Sequence, residues 1–227
     1  MLVPLAEGLW TLQVPLRLLG LLQVGTRMTV VRLSSGALLV HSPTRLDAAL
    51  RAEVDALGEV RHLVAPNLYH HMFVGDWTTA YPSAALHAPA GLRRKRSDLR
   101  IDRDLGATPD PEWGGELTPI PIDGCMLHET VLVHTATRSL ISSDTVENFP
   151  EMSDGPTRAY LKLAGTYGKV GWPWMLHVLY RDRRAARRSV DRILEQDWDR
   201  LLLAHGEVIE TGGREALRNG LSFLGPG

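Results

Sequence analysis

Two apolar runs, 28–33 and 37–41, flank the turn-forming cluster Ser34-Ser35-Gly36, a pattern that predicts a two-stranded hairpin. Ser42-Pro43-Thr44 interrupts it. Apolar residues then return at Leu46, Ala49, Leu50, Val54 and Leu57, which is helical spacing, with Thr44 as the expected N-cap and Gly58 as the stop. Residues 60–65 are mostly apolar and β-branched and predict a buried strand closed by Pro66-Asn67. Open α/β sheets place ligands beyond the carboxyl ends of their strands, so the segment that follows is the first place to look for chemistry.

A further strand is expected over 84–88. From Arg93-Arg94-Lys95-Arg96 to Gly115 the chain is charged and rich in proline and glycine without periodicity, which predicts a surface excursion able to serve as a lid. Runs at 117–122, 130–134 and 139–142 predict three more strands, with Asp144 just past the last. Val190, Ile193 and Leu194 give an apolar stripe to a charged helix over 182–196. A Leu201-Leu202-Leu203 strand ends at His205-Gly206, and a helix over 213–223 closes the chain. No repeat is visible. Strands dominate the first two thirds and helices interrupt them, so the expected class is α/β, a layered pair of mixed sheets covered by helices. The 227 residues suit one domain spanning 1–227.

Composition narrows the partners. Twenty-five Lys and Arg against 26 Asp and Glu leave a net charge of −1, so no global field draws nucleic acid or anionic lipid. The apolar stretch 14–24 contains Arg17 and is too short to span a bilayer. One cysteine, Cys125, cannot form an internal disulfide, and no leader pattern opens the chain, so the cytoplasm and a small-molecule substrate are expected.

His70, His71, Asp144 and His205 each follow an expected strand. Strand ends bring side chains from distant parts of a chain to one edge and hold them firmly enough for coordination, and three imidazoles with a carboxylate suit Zn(II), Fe(II) or Mn(II). Taken singly, adjacent histidines more often cap turns, and a set of four can also collapse into a hydrogen-bonded cluster. Glu129 and His134 flank the strand near Asp144 and can orient an imidazole. Cys125 most simply fills the core, although exposure would let it ligate. His41, His62, His87 and His177 have no motif context, and Trp172-Pro173-Trp174 either packs a loop or lines an apolar pocket.

At these residues the sequence resembles the metallo-β-lactamase-like superfamily, whose first motif is His-x-His-x-Asp-His after a buried strand. In Pro66-Asn67-Leu68-Tyr69-His70-His71, Pro66 and Leu68 stand at the first two histidines, His70 at the aspartate and His71 at the third histidine. Cys125 stands at the histidine of the Gly-His turn. Asp144 in Ser143-Asp144-Thr145 matches the bridging aspartate, and His205 in His205-Gly206 matches the final histidine. The segments 65–71, Gly75-Asp76-Trp77, 91–96 and 203–206 are similar to a branch called domain of unknown function 4336. The resemblance implies an αββα sandwich of two mixed β-sheets flanked by helices. It also implies that the first metal position has lost its ligands, while the second keeps His70, His71, Asp144 and His205 around one divalent ion, Zn or Fe, with Mn also compatible.

The function this implies is a metal-dependent enzyme, first a hydrolase of an ester, amide, thioester or lactone, with Asp144 and His205 as catalytic residues. Mononuclear iron redox chemistry, and a non-catalytic descendant that binds a small molecule or partner, are the competing expectations.

Overall fold

The computed structural model describes residues 1–152 and 154–225. In chain order the strands are β1 (Val3–Ala6), β2 (Leu9–Val14), β3 (Arg17–Leu18), β4 (Leu22–Gln23), β5 (Thr26–Arg32), β6 (Ala37–His41), β7 (Glu59–Val64), β8 (Ala85–Ala88), β9 (Arg103–Asp104), β10 (Leu117–Pro121), β11 (Thr130–His134), β12 (Ser139–Ile141), β13 (Glu147–Asn148), β14 (Val170–Gly171) and β15 (Arg200–Leu202). The α-helices are α1 (Ala48–Asp55), α2 (Val74–Ala80), α3 (Leu92–Lys95), α4 (Gly155–Ala164), α5 (Arg183–Glu195) and α6 (Gly213–Gly220).

A seven-stranded sheet runs β1-β2-β5-β6-β7-β8-β9 and a four-stranded sheet runs β10-β11-β12-β15. Both are mixed: β6 to β9 pair in parallel in the first, and β12 pairs in parallel with β15 in the second. The period-2 pattern explains the layering. Leu9, Val31, Leu39 and Val64 of the larger sheet share one buried layer with Leu117, Leu132, Ile141 and Leu202 of the smaller. The opposite face of the larger sheet, with Val30, Leu38 and Leu63, packs on Leu50 and Val54 of α1 and Val74 and Trp77 of α2. The outer face of the smaller sheet, with Val131, Leu140 and Leu201, meets Val190 and Ile193 of α5 and Leu217 of α6. The result is four layers, helix–sheet–sheet–helix, as the sequence implies. No helix among the described residues is long and apolar enough to cross a membrane.

Several local expectations are corrected. Asp47, not Thr44, caps α1: its carboxylate accepts the N–H of Leu50 at 2.8 Å. Thr44 is fully buried, and its carbonyl accepts the Trp77 indole N–H at 2.7 Å. The expected excursion over 93–115 is tied to the fold, because β9 extends the larger sheet, Ile101 is buried in its helix-covered layer and Leu105 and Trp113 are buried in the layer between the sheets. The N-terminal strands β1 and β2 and the small β3–β4 hairpin are additions to the expected set.

Candidate metal centre

The three elements that matter end at the same edge of the sandwich. His70 lies in the loop after β7, Asp144 just past β12, and His205 just past β15, the parallel neighbour of β12. Asp144 Oδ1 stands 3.1 Å from His70 Nε2 and 3.2 Å from His205 Nε2. One ligand atom from each residue falls within 4.8 Å of the other two. Donor atoms that share an ion at 2.0–2.2 Å lie roughly 3 Å or a little more apart, so this spacing fits a metal with little rearrangement.

The outward-facing nitrogens are engaged elsewhere. His205 Nδ1 stands 2.8 Å from the carbonyl oxygen of Gly25, which can only accept, so Nδ1 carries the hydrogen and Nε2 is turned to Asp144. His70 Nδ1 lies 2.8 Å from Ser42 Oγ. An imidazole anchored through one nitrogen and presenting the other is how proteins orient metal-binding histidines. Ser42 itself sits in a left-handed backbone conformation (φ 52°), which is uncommon for a residue with a side chain and directs it from the end of β6 toward His70.

Asn67 joins the two halves of the site. Its Oδ1 accepts the N–H groups of Tyr69 and His70, both at 2.8 Å, an Asx turn that shapes the loop. Its Nδ2 donates to Asp144 Oδ2 at 2.8 Å and to Ser143 Oγ at 3.0 Å. On the other side, Glu129 accepts the N–H groups of Ser143 and Asp144 at 2.7 and 2.9 Å and the Thr145 hydroxyl at 2.9 Å.

The charges are strongly coupled. Burial works to raise the Asp144 carboxyl, but the His70 and His205 rings together outweigh it and hold it far below the usual carboxylate range. Burial likewise opposes protonation of His205, yet its hydrogen bond to Asp144 and the charges of Asp144 and Glu147 lift it to about 9. Burial and Asp144 push Glu129 up. Glu147, half-buried on β13, is raised to about 7 by desolvation, with the charge of His205 opposing and that of Asp144 adding.

The structure thus brings together His70, Asp144 and His205 of the four expected ligands. His71 is placed differently. Its Nδ1 lies 3.2 Å from Arg96 Nη1, a donor, so the proton of the neutral ring resides on Nε2. Burial, with the charges of Lys95 and Arg96, lowers its pKa. Arg96 and Lys95, which lies 4.7 Å over the Tyr69 ring, belong to the basic cluster and brace this loop rather than cover it.

Of the three supporting residues expected, Glu129 holds the backbone of Asp144 as described. His134 is at the far end of β11, about 13 Å along the strand from Thr130 at the usual rise, where its Nδ1 meets Thr137 Oγ1 at 2.8 Å. Cys125 is buried, bridges to Tyr180, and lies in the apolar layer under α5. Burial there pushes its thiol up to about 11. Asn67, Ser42, Gly25 and Glu147 were not singled out by sequence. Only Asn67 carried a signal, the strand-ending Pro66-Asn67 pair that favours an Asx turn.

Fold and site together define the class: the chain has the metallo-β-lactamase fold. Solved structures similar to it include a metallo-β-lactamase from Pontibacter korlensis, at 12% identity and TM-score 0.69, covering 99% of this chain and 98% of that one. A metallo-β-lactamase from Hirschia baltica matches at 15% identity and TM-score 0.64, covering 100% and 98%. The metallo-β-lactamase FIM-1 from Pseudomonas aeruginosa, in its mono-zinc form, matches at 11% identity and TM-score 0.67, covering 99% and 94%. Within that fold, residues 6–91 match the family described as domain of unknown function (DUF4336). No curated protein sequence matches the chain.

Proposed function

We propose that this protein is a metal-dependent hydrolase with a mononuclear centre, in which His70, Asp144 and His205 hold one divalent ion, Zn or Fe, and the substrate is a small ester, amide, thioester or lactone. The observation that carries this reading is the convergence of the two Nε2 atoms on one carboxylate oxygen, at 3.1 and 3.2 Å. When bound, such an ion supplies Lewis acidity toward a carbonyl oxygen and a water of lowered pKa.

The chain's own residues do the rest. Ser42 and Gly25 orient the two imidazoles. Asn67 and Glu129 hold Asp144 so that Oδ1 is the atom presented. Glu147 lies beside the cluster with a pKa of about 7, suited to accepting or returning a proton near neutral pH. His71 acts as a brace through Arg96 in this reading, and the shared buried layer between the sheets supports treating 1–227 as one domain.

A second reading has its own support: two imidazoles and one carboxylate are also the donor set of mononuclear non-haem iron oxygenases. Elemental analysis of purified protein, followed by hydrolysis assays on ester, lactone, thioester and amide panels with and without chelator, tests both. Close to one ion per chain and chelator-reversible hydrolysis are expected. Iron with oxygen consumption and no hydrolysis favours the second reading, and a metal-free protein that still binds small molecules through the cleft supports a non-catalytic descendant.

A further inference from the structure

Arg27 is a buried cation outside the cluster of His70, Asp144 and His205. It lies on β5 at 8% exposure, and among the described residues no carboxylate comes within ion-pairing distance of it. Burial lowers its pKa, only partly offset by the charge of Glu207. Burying a guanidinium without a carboxylate is costly, so its hydrogen bonds call for an explanation.

Those bonds are specific. Nε donates to the carbonyl of Leu203 at 2.9 Å and Nη2 to the carbonyl of Gly206 at 2.6 Å. These two carbonyls bracket Ala204-His205. Nη2 also donates to Gln13 Oε1 at 3.0 Å and Nη1 to Thr11 Oγ1 at 3.3 Å, which ties the guanidinium to β2. Gln13 Nε2 adds a second bond to the Gly206 carbonyl at 3.3 Å. No side chain fits at Gly206, where φ is +94° and a Cβ would lie 1.8 Å from the Asn148 carbonyl oxygen, so the Asn148 backbone packs directly against the loop. Two residues before Arg27, Gly25 accepts the Nδ1–H of His205. The entry to β5 therefore grips His205 twice, the ring through Gly25 and the backbone through Arg27.

We infer that Arg27 is a positioning residue for His205: its planar fork locks the backbone on both sides of the imidazole, so that Nε2 stays turned to Asp144. It acts through His205 and not on a substrate. A lysine does not reproduce it, because a single rotating ammonium lacks the rigid planar fork whose three nitrogens reach four acceptors on β2 and the 203–206 loop. The consequence for metal affinity rests on the metal-holding reading above, whereas the placement of the ring does not.

The test uses the full chain as wild type, Arg27→Lys and Arg27→Met. Ile193→Val, on the buried face of α5, serves as a control for loss of packing, with urea midpoints measured for all. Histidine ¹⁵N NMR of metal-free protein reads the Nδ1–H of His205, and equilibrium dialysis with Zn(II) reads affinity. We expect both Arg27 variants to lose or shift the His205 Nδ1–H signal and to weaken zinc binding tenfold or more, while Ile193→Val alters neither. Unchanged His205 signals in Arg27→Lys overturn the inference, as does zinc affinity within twofold of wild type. If Arg27→Met does not fold, Arg27→Lys decides the question. If wild-type protein binds no zinc, the metal-holding reading fails, and the His205 signal alone settles the role of Arg27.

Discussion

Asn67 and Asp144 are joined by a 2.8 Å hydrogen bond from amide Nδ2 to carboxylate Oδ2, which leaves Oδ1 as the oxygen facing both imidazoles. The same amide accepts the His70 N–H, so one buried side chain couples two of the three clustered groups. Asn67→Ala strands a buried carboxylate oxygen and two backbone N–H groups. We expect a loss of about 1–3 kcal/mol in urea unfolding, the usual cost of orphaned buried polar groups. A loss below about 0.5 kcal/mol, the size of a neutral surface substitution, counts against this linking role.

The ligand set makes a separate prediction. His70→Ala, Asp144→Ala and His205→Ala each remove one of the three donors that converge among the described residues, and each is expected to abolish stoichiometric zinc binding with the fold retained. His71→Ala is expected to keep the ion, because His71 is not among the three groups whose ligand atoms converge, and its Nδ1 accepts from Arg96, which leaves the proton on Nε2. Dialysis with elemental analysis separates these outcomes. Loss of the ion in His71→Ala shows that the ring turns away from Arg96 to ligate.

Zinc uptake should also release protons. With His205 lifted to about 9 by Asp144 against the opposing effect of burial, metal-free protein carries that proton at neutral pH, and a ligating imidazole must shed it. Calorimetry in buffers of different ionisation enthalpy is expected to show about one proton released per ion at pH 7. Release should disappear above pH 9 or so, and heats independent of buffer at pH 7 argue against the Asp144–His205 pair as the metal's competitor.

On the adjacent strands β7 and β8, buried His62 and His87 meet with Nδ1 and Nε2 3.2 Å apart beside Trp113. Burial lowers both. At His62 the charges of Asp110 and Glu112 oppose it and those of Arg61 and Arg103 add to it. His87 is brought to about 4 by burial and by the charge of His62, with Asp110 and Asp102 opposing and Arg103 adding. Unfolded histidine titrates near 6.5. The unfolded chain therefore binds protons first, and stability present above about pH 6.5 is lost as pH falls toward 4. The full effect of His87 is on the order of 3 kcal/mol. Urea midpoints measured from pH 7.5 to 4.5 should fall, and His87→Gln should flatten that slope. An unchanged slope removes the pair as its source.

Much of this arrangement is readable from residue order, and the failures have a physical pattern. Strands with strong period-2 or continuous apolar character, such as β5 to β7 and β10 to β12, are legible because burial dictates residue type directly. Thr44 misleads as a cap because tertiary packing on Trp77 outweighs its local preference. The three clustered side chains are legible because strand ends and motif order announce them. His71 is not, since nothing local tells which neighbouring imidazole faces the cluster and which meets an arginine 25 residues later. Gly25, Ser42 and Arg27 escape notice for the same reason: each acts through long-range hydrogen bonds that leave no periodic trace.

A second ion is not expected to bind. Pro66 has no side-chain donor and Leu68 is apolar, so a first-site metal has only Cys125, Asp144 and water to draw on. Cys125 lies in the apolar layer beside Tyr180, and burial pushes its thiol up to about 11, far from the thiolate a metal needs. The second oxygen of Asp144 is occupied by Asn67. Protein-held catalytic metals generally use about three protein ligands, and that count is not met. Dialysis against excess zinc or iron is therefore expected to stop at one ion per chain, to be unaffected by Cys125→Ser, and to leave Cys125 slow to alkylate in native protein at pH 7. Two tightly held ions, one of them lost with Cys125, show instead that the loop from Pro66 to His71 and the turn at Cys125 rearrange to rebuild a binuclear centre.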